Sequence, residues 1–300
     1  MLSMTIRERH PRLSALWIAV RPSQLALIGL VYALGVGIAA TAASGVPWTR
    51  VGVGVAVLLP VAASVHYANE YADAETDRLS ERTPFSGGSG ALELTGVDRT
   101  LLARASAAAL FVGVGTAGVG WRTGLVSTTA AALLATIAVA GLAYSLPLVA
   151  LIRRGLGEVT NALLGGTLLP LYGVAVAGSV TMVTVLAVVP FTLLVGCNLL
   201  ATHWPDREAD AAVGKRTLAV RWSPGRLRMA YWTLATAAVL TMVALVGTVP
   251  AAVLAGQSLA VPPLLWGGVV LTRQRSPFPA VSAMVVHAGA STAVWWWLAL

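Results

Sequence analysis

The sequence predicts an all-α polytopic membrane protein, and three observations carry the prediction. Of 300 residues, 57% are apolar types and only 11% carry a charge, whereas a soluble domain has about 25% charged residues. Mean hydropathy is +0.79. The apolar residues fall into nine long runs, each near the roughly 20 residues a helix needs to cross hydrocarbon. None alternates as a barrel strand would. This composition excludes a disordered chain and an ordinary soluble enzyme. The net charge of +8 marks loops at the membrane face rather than a nucleic-acid surface. The lipid bilayer is thus an expected partner and nucleic acid is not.

The first run, Ser23–Ala43, is opened by Arg21-Pro22, with proline in the first helical turn. Arg7, Arg9 and Arg12 before it resemble the start of a signal peptide. The run is longer than the apolar core of one, however, and reads as the first span. Val51–Tyr71, Leu101–Trp121 and Val126–Leu146 follow. The fifth run, Glu158–Ala177, is the least regular, with Glu158 and Asn161 in its first turn and Pro170 inside it. Met182–Thr202 holds the single cysteine, Cys197, a packing residue with no disulfide partner. Leu227–Thr248, Ala251–Leu271 and Ala280–Leu300 complete the set. The last ends in Trp295-Trp296-Trp297, read with most of the ten tryptophans as an interfacial belt. If the N-terminus is cytoplasmic, 18 of the 20 Lys and Arg lie on the inner side, and only Arg50 and Arg122 lie outside. Positive charge concentrates on cytoplasmic segments. The expectation is a cell-membrane protein with an odd number of spans, its N-terminus inside and its C-terminus outside.

The 12 acidic residues are concentrated. Seven fall between the second and third spans (Glu70, Asp73, Glu75, Asp77, Glu81, Glu93, Asp98), and three between the sixth and seventh (Asp206, Glu208, Asp210). These are the two longest inner loops, and long loops in compact proteins are usually functional or disordered. Each contains D-x-E-x-D. On a helix, residues four apart share a face, so Asp73 pairs with Asp77 and Asp206 with Asp210. Asn69 extends the first face by a turn, while Glu75 and Glu208 look elsewhere. Like charges so spaced repel by about 0.2–0.5 kcal/mol on an exposed helix. Both pairs also follow the C-terminal end of a span, where the helix dipole is negative. A divalent cation relieves both penalties, and all-oxygen donors suit Mg²⁺ rather than zinc. Mg²⁺ is usually held by one or two carboxylates plus water and phosphate oxygens, so two pairs suit a diphosphate clamped between metals.

Basic residues accompany the acids. Arg78 and Arg82 precede Ser86-Gly87-Gly88-Ser89-Gly90, which reads equally as a backbone anion nest or a flexible linker. Gly214-Lys215-Arg216-Thr217 follows the second pair. It lacks the glycine spacing and the Ser/Thr of a P-loop, but Lys215 is the only lysine in the chain. Arg153 and Arg154 lie on the same face and divide evenly between substrate contact and lipid-headgroup contact. Tyr144, near the inner end of the fourth span, reads most simply as an interfacial aromatic. His66 and His287 lie within spans and receive no role.

These residues resemble the UbiA superfamily of intramembrane prenyltransferases. The features are Arg21-Pro22, Asn69/Asp73/Asp77, Thr83-Pro84-Phe85 with the glycine run, Tyr144-Ser145-Leu146-Pro147, Arg154-Gly155-Leu156-Gly157-Glu158, and Pro205-Asp206 through Asp210 with Gly214-Lys215-Arg216-Thr217-Leu218. Within the superfamily the chain looks most like the 1,4-dihydroxy-2-naphthoate polyprenyltransferases of menaquinone biosynthesis. The resemblance implies one transmembrane domain over residues 1–300, with nine helices around a central cavity and cap loops near 72–100 and 203–226. It implies that Asn69, Asp73, Asp77, Asp206 and Asp210 hold Mg²⁺, the four aspartates forming the catalytic centre. It implies that Arg78, Arg82, Arg153, Arg154, Lys215, Tyr144 and Asn161 bind the diphosphate of a prenyl diphosphate. The second substrate is then an aromatic acceptor such as a quinone precursor. The chain departs from the pattern at Glu70, where an aspartate is usual, and at Thr202 and His203, where the second motif usually has asparagine.

Other readings compete. A different acceptor, a lipid among them, or an intramolecular one (a terpene cyclase) keeps the chemistry. A transporter would carry ionisable groups near mid-membrane, whereas these spans are nearly charge-free. A non-catalytic partner subunit is a further reading.

Overall fold

The computed structural model describes residues 4–43, 45–79, 82, 85 and 87–300. Glu81, Thr83, Pro84 and Ser86, part of the acidic and glycine-rich stretch read above, lie outside the described residues. Among the described residues nine helices are long and apolar enough to cross a membrane: α1 (Pro11–Ala40), α2 (Trp48–Leu79), α3 (Thr100–Arg122), α4 (Thr128–Ser145), α5 (Gly157–Ala177), α6 (Met182–Ala212), α7 (Pro224–Ala244), α8 (Ala251–Val270) and α9 (Phe278–Ala299). No strand forms among them. The protein is an all-α polytopic membrane protein.

Three helices outrun their expected spans. α1 starts at Pro11, α2 continues to Leu79 and α6 to Ala212. Hydropathy marks where the apolar stretch ends, not where the helix ends. The residues beyond Tyr71 and Thr202 are mostly Ala, Glu, Asp and Arg and contain no glycine before Gly214 in the second segment. The acidic motifs expected in loops are therefore carried on helical extensions, and the i, i+4 faces inferred from spacing are real.

Two helices are interrupted where they border the central space. α1 breaks at Val20 and Arg21. Pro22 disfavours a helical conformation at the residue before it, and Arg21 is left-handed at φ 52°. His66 Nδ1–H donates to the Val20 carbonyl at 2.7 Å, which satisfies an acceptor near the break. α5 contains a π-helical turn at Leu164–Leu168. Pro170 has no N–H for the Gly166 carbonyl, and a widened turn accommodates the lost bond.

α1 packs on α5 and α9, α2 on α3 and α4, and α6 on α5, α7 and α9. The α1–α5 crossing is close because both helices present glycine there. A Cβ on Gly35 would collide with the Pro170 carbonyl, and one on Gly173 with the Tyr32 carbonyl. Small residues let membrane helices approach in this way, with van der Waals contact as the main attraction. Tyr32 Oη donates to Val51 O at 2.9 Å and Tyr172 Oη to Gly54 O at 3.0 Å, pinning α1 and α5 to the start of α2. Two tryptophans assigned to the interfacial belt belong instead to this packing. Trp295 is buried, and Trp296 stacks on Trp48 while its Nε1–H donates to Ala33 O at 2.9 Å. Trp297 alone of the three is exposed. Cys197 is buried, as expected of a packing residue.

Candidate active site

The C-terminal extensions of α2 and α6 stand at one end of the bundle and bring the two acidic motifs together. Lys215 joins them. Its Nζ lies 3.0 Å from Asp73 Oδ1 and 3.5 Å from Asp210 Oδ1. The chain reverses after α6 through Gly214, at φ +75°, a conformation open to glycine without steric cost. Lys215 N then donates to the Asp210 carbonyl at 2.9 Å. Burial acts to lower the Lys215 pKa, but the carboxylates of Asp73, Asp210 and Asp77 outweigh it and hold the ammonium above its ordinary value.

The glycine run lies over this junction. Gly87, Gly88 and Gly90 all have positive φ, and a Cβ on Gly88 would strike the Asp77 carboxylate. The Gly87 N–H donates to Asp206 Oδ2 at 3.3 Å. The Ser89 N–H donates to Glu70 Oε1 at 3.3 Å, and the Ser89 hydroxyl donates to the same oxygen. The run is thus an anion nest of the kind backbone N–H groups make, here turned on the protein's own carboxylates. Glu70 is buried and also receives Arg21 Nη2 at 2.7 Å, so it ties the break in α1 to α2.

Below the acids lies a cavity of about 430 Å³. Asp73, Asp77, Asp206, Asp210, Lys215 and Arg21 line its charged end. Asn69, Asn161, Asn198, Thr202, His66 and His203 supply polar groups. Leu58, Val65, Ile137, Leu164, Leu169 and Leu199 make its apolar wall. Asn69 Oδ1 and Asn198 Oδ1 are buried with no hydrogen-bond partner among the described residues. An apolar chamber beneath convergent charges suits an amphipathic ligand with an anionic head and a hydrocarbon tail. A larger cleft, about 700 Å³, lies beyond Asp77 and is lined mainly by charged residues and glycines. It lacks the apolar wall a hydrocarbon tail needs.

The model of the UbiA prenyltransferase family matches residues 30–298. The chain belongs to the UbiA prenyltransferase family. Solved structures share the fold. A UbiA homologue from Archaeoglobus fulgidus, bound to GPP and Mg²⁺, superposes with a TM-score of 0.72 at 16% identity, covering 95% of this chain and 99% of that one. A UbiA homologue from Aeropyrum pernix K1, in its apo form, gives 0.68 at 17% identity, covering 90% and 97%. A structure reported for digeranylgeranylglyceryl phosphate synthase gives 0.67 at 15% identity, covering 95% and 99%. No curated protein matches the chain in sequence.

Within this UbiA-family fold the site residues read from sequence divide into two groups. Asn69, Asp73, Asp77, Asp206, Asp210, Lys215, Tyr144 and Asn161 all line the cavity. Tyr144 is buried at the end of α4, not an interfacial aromatic. The expected arginines do not line it. Arg78 and Arg82 are exposed on the neighbouring cleft, and Arg82 pairs with Glu93. Arg153 is exposed and donates to Val213 O at 2.9 Å, fastening the turn after α6. Arg154 is exposed and lines neither space. Glu75 and Glu208 are exposed and turned away from the cavity, as their half-turn offset requires.

Sequence reasoning missed Arg21, Asn198 and His203 as cavity residues. Arg21 registered as a helix start and as part of the family resemblance, not as a cavity residue, and Asn198 lies two turns ahead of Asp206 on the same face of α6. His203 registered only as a departure from the family pattern.

Proposed function

We propose that the protein transfers an isoprenyl group from a prenyl diphosphate to an aromatic acceptor of the quinone-precursor type, 1,4-dihydroxy-2-naphthoate being the first candidate, in a Mg²⁺-dependent reaction. One observation carries the reading: two aspartate pairs on facing helices meet at the mouth of an apolar cavity, with a lysine between them. Sequence likeness to the menaquinone branch supports the choice of acceptor.

The donor set fits Mg²⁺. Every candidate ligand is a hard oxygen, and Asn69 offers a buried oxygen with no hydrogen-bond partner among the described residues. Among the described residues no three His, Cys, Asp or Glu groups converge as a self-sufficient metal cage. Mg²⁺ takes one or two carboxylates and completes its shell with water and phosphate oxygens. Asp73 and Asp77 on one side, and Asp206 and Asp210 on the other, would hold the metal. Lys215 already occupies the cation position between Asp73 and Asp210.

Bound Mg²⁺ supplies Lewis-acid stabilisation of the departing diphosphate. Lys215 and Arg21 add fixed positive charge at the same end. The prenyl tail lies along Leu58, Val65, Ile137 and Leu169, and this wall keeps water from the allylic carbon while the acceptor attacks it. On the positive-inside distribution the site opens to the cytoplasm, with the N-terminus on the same side.

The test is incubation of the purified protein with Mg²⁺ and a panel of prenyl diphosphates, with and without 1,4-dihydroxy-2-naphthoate, followed by product mass. The reading expects a new species heavier by the prenyl group and dependent on both Mg²⁺ and the acceptor. Product formed without any acceptor would indicate cyclisation, and substrate flux without bond cleavage would indicate transport.

A further inference from the structure

A buried carboxylate–histidine pair beside the cavity has no part in the reading above. Glu158, in the first turn of α5, is only 5% exposed. Its Oε1 accepts from His203 Nδ1 at 3.1 Å and from the Leu218 backbone N–H at 2.5 Å. Its Oε2 is buried without a hydrogen-bond partner among the described residues. His203 stands on α6 three residues before Asp206, about 4.5 Å deeper by the helical rise, and its ring lines the cavity. Since the carboxylate engages Nδ1, Nε2 is the nitrogen left for the cavity. A carboxylate on one ring nitrogen fixes the tautomer and raises the basicity of the other. The level just below the aspartates is also where the first carbon of a prenyl diphosphate sits if its diphosphate is held at the aspartates and its tail runs inward.

We propose that His203, held by Glu158, is the base that removes the acceptor's proton during prenyl transfer. The assignment rests on the prenyltransferase reading. In the step, the bond between the prenyl first carbon and the diphosphate oxygen breaks, and its electron pair leaves with the diphosphate. An electron pair of the acceptor forms the new bond to that carbon. The proton on the attacking hydroxyl or ring carbon passes to His203 Nε2, leaving an imidazolium paired with the Glu158 carboxylate. The acceptor is thus a nucleophile whose attacking hydroxyl or ring carbon must lose a proton, such as a hydroxylated aromatic. Asp206 and Asp210 on its own helix and Lys215 from the turn after it also act electrostatically on the ring.

The experiment compares wild type with His203→Gln and Glu158→Gln in Mg²⁺ with a prenyl diphosphate and 1,4-dihydroxy-2-naphthoate. It follows diphosphate release, product mass and pH dependence, with thermal unfolding as the check on folding. The expected result for His203→Gln is a kcat lowered by about 10²–10⁴-fold, an unchanged KM for the prenyl diphosphate and loss of the acid limb of the kcat profile. Added imidazole restores part of the activity of His203→Ala. In Glu158→Gln the acid limb moves to lower pH, because loss of the carboxylate makes the imidazole a weaker base. A merely structural pair would move unfolding temperature and KM but neither the pH limb nor the imidazole rescue. Wild-type kcat in His203→Gln, or an unmoved limb in Glu158→Gln, overturns the assignment. Diphosphate release by wild type that does not depend on an acceptor overturns it too. A wild-type protein that releases no diphosphate from any donor overturns the prenyltransferase reading itself, and the assignment with it.

Discussion

Lys215 holds together two carboxylates that otherwise repel. Removing one partner of a buried charge pair leaves the other charges uncompensated, and Lys215 and Asp210 are both more than nine-tenths buried. Lys215→Met is therefore expected to unfold at a lower temperature than wild type without metal and, having lost a diphosphate-binding charge, to gain less thermal stability than wild type when Mg²⁺ and a prenyl diphosphate are added. Differential scanning fluorimetry in detergent checks both. Gly88 makes a second residue-scale prediction. Its φ of +73° costs a non-glycine residue roughly 1–2 kcal/mol, and the added Cβ would displace Asp77. Gly88→Ala is expected to lower kcat/KM for the prenyl diphosphate with the protein still folded. Aspartates four apart were legible in the sequence because spaced like charges have no structural use. Arg21 and Glu158 were not, because their partners lie 49 and 45 residues away and nothing local signals either pairing.

At the scale of elements, apolar run length predicted all nine spans, but it could not tell helix end from membrane surface. α2 and α6 carry the aspartates beyond their apolar stretches as continuous helix, which gives the site two rigid walls rather than two loops. Positions on regular elements are held more tightly than positions on loops. The π-turn in α5 and the break in α1 were visible only as Pro170 and Pro22, since a proline tells where a helix is disturbed and not how. The α1–α5 crossing was invisible, because glycine in an apolar run carries no pattern that names its partner. Gly35→Leu is expected to prevent assembly of the bundle: the side chain would enter the backbone of α5 at Pro170, where neither helix can yield. Size-exclusion chromatography should then show aggregate in place of the monodisperse wild-type peak.

For the whole molecule, charge distribution yields an orientation that thiol labelling can test. Cys197 is the only cysteine and is buried, so a Cys197→Ala background is free of native thiols. Leu148, between α4 and α5, is 92% exposed, and Val246, between α7 and α8, is 69% exposed. In intact cells a membrane-impermeant maleimide is expected to label Val246→Cys and to label Leu148→Cys only after lysis. The reverse pattern would move the aspartates to the outer face. The same sorting of 32 charged residues made the site legible as a region, one end of the bundle, before any contact was known. It did not separate the expected arginines, which lie off the cavity, from the aspartates that line it, because positive charge at a membrane face also serves topology and lipid contact and charge alone cannot tell the two uses apart.

The central claim is that both aspartate pairs act together, with Mg²⁺, on one prenyl diphosphate. Diphosphate release by wild type, Asp73→Ala and Asp206→Ala in the presence of 1,4-dihydroxy-2-naphthoate, with and without Mg²⁺ and with folding checked by thermal unfolding, tests it most directly. The account predicts Mg²⁺-dependent release by wild type and a loss of at least about 10²–10³-fold in each folded variant. Wild-type turnover in either variant, across several prenyl donors, would contradict it.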